Sequence, residues 1–396
     1  MSDNIRNIAV AFALENANKY GSADINVVLG RVVSVTKYSH AECLSLVVDV
    51  VNYVNLLDVD SRRNLTSSLH HILPPPPEKV RKELTLPNIN GNIVVRFAPN
   101  PNGPLSFGHS RGVSILHYFW KKYGGKFILR FDDTDPTNKP ALLDAYSWIV
   151  EDIEWLTGDK PSEIFIASDR QSIYVSHIFD CIKSGIAYSC TCEAETFKNF
   201  KRSGVECPHR YQIDTQSLTD LVDMDNGAFK PGECVIRIKT DMKHNNPSIR
   251  DWVAMRIVKN NHPRESIGLE HSYLYPTLDF QSAIDDYLLG ITHIIRGKDL
   301  IASTLRQQYI YNALGWKYPN VAYWGKVQVM DFDKTSTSKT KEKIESGEIS
   351  GWDDDSLTTL RSLKKKGFSG KNIYDFWLTQ GLSERDVTIN LNNIRK

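Results

Sequence analysis

Residues 92–131 read NIVVRFAPNPNGPLSFGHSRGVSILHYFWKKYGGKFILRF. The first six, NIVVRF, have the apolar density of a buried strand. A loop rich in proline and glycine follows, then an apolar helix from about 111 to 123. Gly124-Gly125 ends that helix, and 126–131 (KFILRF) gives a second strand. Strand, loop, helix and strand over about 40 residues form the βαβ unit of a parallel sheet, because a parallel return needs a crossover of this length. The helix start is where a phosphate-bearing ligand is expected, since helix N-termini present free N–H groups and partial positive charge. Gly108 would let a nucleotide approach the backbone, and His109 can donate to a phosphate. Read alone, a histidine at a helix start is more often a cap or a core residue.

On the N-terminal side, residues 1–73 carry helical spacing. Ile5, Ile8, Ala9, Phe12 and Ala13 share one face, as do Leu44, Val47, Val48, Val51 and Val54. The run Pro74, Pro75, Pro76, Pro77 stops any helix and reads as a stiff spacer within a linker, 74–91. On the C-terminal side, 92–184 reads as the first half of a Rossmann-type α/β domain. Residues 185–252, with short strand-like pieces and a cysteine cluster, read as an insertion. Parallel-sheet character returns in 253–325, near LLGITHIIR at 288–296. Residues 326–396 hold a lysine-bearing loop and then helical segments.

Composition narrows the class. The chain has 396 residues, 41% of them hydrophobic and 24% charged, enough for two or three cores and unlike a disordered sequence. No stretch approaches the roughly 20 apolar residues of a membrane helix, and the N-terminus lacks signal-peptide order, so a cytoplasmic protein with no membrane partner is expected. The net charge of +1 gives nucleic-acid binding no support; motifs must supply it.

A second constellation lies about 230 residues beyond His109: Thr335-Ser336-Thr337-Ser338-Lys339. A lysine on a mobile segment can neutralise charge developing on phosphates, although such loops are usually solvated turns. In this order and separation the two constellations resemble the class I aminoacyl-tRNA synthetase motifs with consensus forms HIGH and KMSKS. The collinear stretches RFAPNPNGPLSFGHSRG, GGKFILRFDDTDP, AYSCTC with CPHR, IRDWVAMRIV, LLGITHIIRGKD, TSTSK and SGWDDDSLTTLRSLKKKG resemble the glutamyl-tRNA synthetases of the archaeal type. The 1–90 region resembles that family's helical N-terminal extension.

The resemblance implies activation of L-glutamate by ATP with Mg²⁺, then transfer to the 3′ end of tRNA(Glu), with 185–252 as the acceptor-stem-binding insertion. It places Pro99, Ser106, Gly108, His109, Ser338 and Lys339 at ATP, with His109 and Lys339 catalytic. It places Arg96, Ala98, Asn100, Asp132, Leu278 and Arg296 at glutamate. Arg96 pairs with the substrate, Asp132 holds its ammonium, and Arg296 pairs with its side-chain carboxylate. A guanidinium fork rewards a carboxylate over an amide, and glutaminyl relatives lack arginine there. The bland alternative for each charged residue is a structural salt bridge.

Cys190-x-Cys192 and Cys207-x-His209 offer three thiolates and an imidazole, a tetrahedral Zn²⁺ set, against the alternative of an unligated thiol cluster. Cys43, Cys181 and Cys234 read as ordinary buried cysteines. Three departures from the family pattern stand out. Ser106 replaces the first motif histidine, Leu278 a frequent tyrosine, and Asp355-Ser356 a frequent Pro-Arg. Family members carry a C-terminal all-β anticodon-binding region beyond the point where this sequence stops, and either a truncation or a naturally short enzyme fits that. Two other readings remain: a glutamate-activating enzyme with a non-tRNA or modified-nucleoside acceptor, and a non-catalytic paralogue.

Overall fold

In the computed structural model the described residues are 3–36, 38–69, 72, 83–258, 260–330, 332 and 337–394. The four prolines at 74–77, and Thr335 and Ser336, lie outside them. Two compact units divide between Lys82 and Glu83.

The first unit is helical: α1 (Asp3–Tyr20), α2 (Ile25–Val35), α3 (His40–Leu56) and α4 (Val59–Leu69). Asp24 caps α2 by accepting from the Val27 N–H, and Ser39 with Glu42 forms a reciprocal capping box on α3. The core joins Ile5, Ala9, Phe12 and Ala13 to Val28, Val32, Cys43, Val47, Val51 and Val54. Leu44 departs from expectation and is 46% exposed. The buried stripe of α3 runs through Cys43, Val47, Val50 and Val54, and Leu44 lies one residue, or about 100°, off it.

The second unit opens with the predicted βαβ pattern: β1 (Ile93–Phe97), α5 (Phe107–Tyr123), β2 (Gly125–Phe131), α6 (Leu143–Thr157) and β3 (Glu163–Ile166), with all three strands parallel. Then come α7 (Gln171–Lys183), β4 (Ala187–Cys190), α8 (Ala194–Ser203), α9 (Asp214–Asp225), β5 (Val235–Ile238), β6 (Trp252–Ile257) and β7 (Leu274–Pro276). β4 to β7 form an antiparallel sheet in sequence order. The expected boundary at 252 therefore falls inside this sheet, because β6 and β7 pair with the insertion's own strands.

The parallel layer resumes with α10 (Leu278–Leu288), β8 (His293–Gly297), α11 (Ile301–Ala313) and β9 (Asn320–Trp324). β8 and β9 are parallel, and Thr292 ties them to β1. Its N–H donates to the Val94 carbonyl, and its hydroxyl accepts from the Val94 N–H. The resulting order, β3-β2-β1-β8-β9, reverses direction between β1 and β8. In such α/β sheets a ligand crevice opens at the carboxyl ends of the strands flanking that reversal.

The last elements are β10 (Val327–Val329), α12 (Thr337–Glu345), α13 (Leu360–Lys365), α14 (Gly370–Gln380) and β11 (Val387–Ile389). One expectation is corrected here. The C-terminal stretch is not purely helical, since β10 and β11 pair in parallel. It is also part of the main core: Ile373, Trp377, Ile389, Leu391 and Ile394 pack with Val113, Phe119, Ile149 and Ile153. Residues 83–91 are likewise no linker, because Leu86 is buried in that core and Leu84 and Ile89 pack on it.

Candidate active site

The loop after β1 is held from three directions. The Asp132 N–H donates to the Pro99 carbonyl and the Leu142 N–H to that of Pro101. The Leu105 N–H donates to the buried Asp152 carboxylate of α6 (2.9 Å), while the Leu105 carbonyl accepts from Leu360. Gly103 closes the turn beneath Trp352 and Thr337. A Cβ there would come within 2.9 Å of both side chains.

Helix α5 begins at Phe107, four residues earlier than expected, because Ser106 caps it. The Ser106 hydroxyl accepts from the His109 N–H (3.3 Å), and the Ser106 N–H donates to His109 Nδ1 (3.2 Å). The serine in place of the first motif histidine thus serves as a helix cap. Since Nδ1 accepts, the neutral ring carries its proton on Nε2, a donor facing away from the cap. The His109 ring is reachable from the cleft although protein surrounds it, and that desolvation lowers its pKa below the ordinary value. Phe107 gives its N–H to Thr358 and His109 to Ser106; no bond within the protein takes the Gly108 N–H among the described residues.

A cavity of about 1060 Å³ opens at the sheet reversal. Arg96, Ala98, Pro99 and Asn100 line it from β1 and its loop, and Ser106, Gly108 and His109 from the start of α5. Asp132, Leu278, Arg296 and Ser338 complete the sequence-predicted lining. Lys339 is the exception. It is exposed in the first turn of α12 rather than in a loop, and it does not line the cavity. Successive helical residues diverge by about 100°, so Ser338 and Lys339 do not face the same way.

Beneath the cavity lies a buried ionic network that sequence reading missed in large part. Arg96 holds Asp286 through Nε (3.0 Å) and Nη2 (3.1 Å). Arg130, fully buried, holds Asp132 (2.6 Å) and Asp286 (2.8 Å). Asp285 takes Arg170 (2.8 Å) and the Tyr174 hydroxyl (2.7 Å). Gln281 bridges Asp132 and Asp285. Three guanidinium groups face three carboxylates. Burial raises the Asp132 pKa. At Asp286 burial also acts upward, but Arg96 and Arg130 outweigh it and hold the carboxyl below the ordinary range. Arg130 was detectable as a charge inside an apolar strand, and Asp285-Asp286 as two adjacent acids directly after the apolar pair Ala283-Ile284.

Arg296 stands outside that balance. It is 6% exposed, and no carboxylate within 4 Å pairs with it among the described residues. The two N–H groups of its Nη2 are shared among Thr304, Gln307 (3.1 Å) and Tyr318 (3.3 Å), all neutral, and its Nε has no partner. Burial lowers its pKa. A guanidinium so placed is a receptor for an anion. Asn100 adds a second unsatisfied group, since Nδ2 reaches the Asp132 carbonyl while Oδ1 has no partner.

In the insertion, the donor atoms of Cys190, Cys192, Cys207 and His209 lie within 4.8 Å of one another. The Cys190 and Cys207 sulfurs are 3.8 Å apart, and those of Cys192 and Cys207 are 3.4 Å apart. His209 Nδ1 is 3.3 Å from both Cys192 and Cys207. Zinc–sulfur bonds of about 2.3 Å at tetrahedral angles put two sulfurs about 3.8 Å apart, so these donors fit a zinc ion. The other ring nitrogen, Nε2, meets the Thr191 hydroxyl at 3.0 Å, the outer hydrogen bond that commonly orients a ligating histidine.

Residues 92–396 match the family of tRNA synthetases class I (E and Q), catalytic domain. The chain is 43% identical to a glutamate–tRNA ligase of Archaeoglobus fulgidus over 98% of its own length and 71% of the relative's. It is 41% identical to one of Methanothrix thermoacetophila, over 100% and 71%. Among solved structures, a glutamate tRNA ligase of Elizabethkingia meningosepticum in complex with its amino acid is 25% identical, with a TM-score of 0.44 over 63% of this chain and 53% of that one. A family match covering most of the sequence, joined to a parallel-sheet cleft at the strand reversal, makes this chain a member of the class I tRNA synthetases of the glutamate and glutamine type.

Proposed function

We propose that this protein is a glutamate–tRNA ligase, which joins L-glutamate to tRNA(Glu) by way of a glutamyl-adenylate. The observation that carries this reading is Arg296, a buried guanidinium with neutral partners only and an open Nε. The side-chain carboxylate of glutamate supplies the missing counter-charge, whereas the amide of glutamine leaves that charge unpaired. Asp132 is assigned to the substrate ammonium. Arg96 spends Nε and Nη2 on Asp286 and keeps Nη1 for the substrate. Ala98, Asn100 and Leu278 line the same cavity.

ATP is assigned to the part of the cleft lined by Pro99, Ser106, Gly108, His109 and Ser338. The open Gly108 N–H and the His109 Nε2–H supply donors for its phosphates. Lys339 becomes catalytic when α12 moves toward the phosphates. The glutamate α-carboxylate attacks the α-phosphorus and pyrophosphate departs with its Mg²⁺. The nucleophile is already an anion, so positioning and electrostatic stabilisation do the work without a general base.

The acceptor end of tRNA is assigned to a second cavity of about 550 Å³, which shares Thr277, Leu278 and Ser303 with the first. Lys198, Lys201, Arg237 and Arg306 line it against the single carboxylate of Asp279, a balance suited to phosphodiesters. Zn²⁺ held by Cys190, Cys192, Cys207 and His209 would staple the insertion beside that cavity. The protein is assigned to the cytoplasm. Among the described residues no helix is long and apolar enough to cross a membrane.

Charging of total tRNA with labelled glutamate, beside labelled glutamine, tests the reading. Base-labile label on tRNA from glutamate alone is expected. Glutamate-dependent ATP consumption with no label on tRNA would point to another acceptor, and equal labelling by glutamine would contradict the carboxylate pocket.

A further inference from the structure

Arg296 selects an anion only while the protein itself leaves its charge uncompensated, and one neighbour governs that condition. Gln307, in α11, is fully buried and makes every hydrogen bond its amide allows. Its Oε1 accepts from Arg296 Nη2 (3.1 Å) and from the Tyr318 hydroxyl (2.7 Å). Its Nε2 donates to the Ser282 hydroxyl and, at 3.4 Å, to the Asp279 carbonyl. The orientation of the amide is forced, because a flipped group would set its NH₂ against a guanidinium that can only donate. Ser282 in turn donates to the Leu278 carbonyl (2.8 Å), so the chain of bonds runs from Arg296 to the first turn of α10, where Leu278 lines the cleft.

We propose that Gln307 is a specificity-determining positioning residue, a neutral acceptor that fixes the Arg296 guanidinium without neutralising it and so keeps the site selective for a carboxylate side chain. The inference rests on the reading that Arg296 receives the glutamate side chain. A glutamate at 307 would occupy nearly the same volume. It would also place a permanent carboxylate about 3 Å from Nη2, where a buried pair forms and a second, incoming carboxylate meets a compensated site. An amide substrate loses nothing by that change.

The test is steady-state charging of tRNA by wild type, Gln307→Glu and Gln307→Met, with glutamate, glutamine and ATP varied in turn. For Gln307→Glu the expected result is a KM for glutamate raised at least about tenfold with the KM for ATP unchanged, and a reduced preference for glutamate over glutamine. Gln307→Met, which removes the support without adding charge, should raise the glutamate KM less and lower kcat. A merely structural role would lower kcat and thermal stability in both variants and leave the two KM values moving together; that result would overturn the inference. So would a glutamate KM for Gln307→Glu within about twofold of wild type, and in that case wild-type charging with glutamate would leave the functional reading standing. A wild-type protein that charges no tRNA with glutamate would overturn both.

Discussion

Position 296 shows a site residue working against the fold that holds it. A buried guanidinium without a counter-ion costs several kcal/mol in desolvation, and here three neutral oxygens offset part of that cost. Removing the charge would leave no orphaned partner, since Gln307 keeps Tyr318 and Thr304 keeps the Tyr323 hydroxyl (2.6 Å). Arg296→Met is therefore expected to melt at or above the wild-type temperature while losing glutamate charging, a stability–function trade-off readable by calorimetry. Gly103 sits at the opposite extreme. A methyl group there would press within 2.9 Å of Trp352 and Thr337. Gly103→Ala should displace the start of α12 and raise the KM for ATP more than the KM for glutamate, which steady-state charging measures.

At the scale of elements, α6 sets the nucleotide-side loop through one buried carboxyl. Burial pushes the Asp152 pKa up to about 6 from 3.8, against the opposing effect of its bond from the Leu105 N–H. Between about pH 4 and pH 6 the folded chain retains a proton that the unfolded chain has released. Stability therefore falls as pH rises through that window, by up to about 3 kcal/mol. Asp152→Asn should flatten this dependence in denaturant titrations at pH 4.5 and 6.5; an unchanged slope would refute the assignment. In the insertion, the Cys₃His cluster joins the end of β4 to the turn after α8. Metal analysis should find one zinc per chain, and chelation or Cys207→Ser should expose the 187–276 sheet to protease before the parallel-sheet core.

Across the second unit, the first two strands and the crossover helix were legible because period and punctuation act locally: an apolar run, a proline-stiffened loop and a glycine stop. The C-terminal stretch was not. Trp377 is fully buried and donates to the Ser110 hydroxyl (2.7 Å), and a Cβ on Gly370 would lie 2.1 Å from the Trp155 carbonyl, contacts separated by more than 200 residues. Such packing has no local signature. Nor does the pairing of Arg130 with Asp286, for the sequence marks each charge but not its partner. The cleft residues were legible through family resemblance, and Lys339 shows the limit of that, since its motif fits while its side chain lies outside the cavity lining. Because α14 and β11 help form the main core, Trp377→Ala should cost about 3–5 kcal/mol in denaturant unfolding. Glutamate selection turns on whether Arg296 reads a carboxylate. The most direct measurement is kcat/KM for glutamate against glutamine in Arg296→Ala and wild type. Loss of glutamate charging and collapse of the glutamate preference in the variant are predicted, whereas a preference that survives without Arg296 would contradict the account.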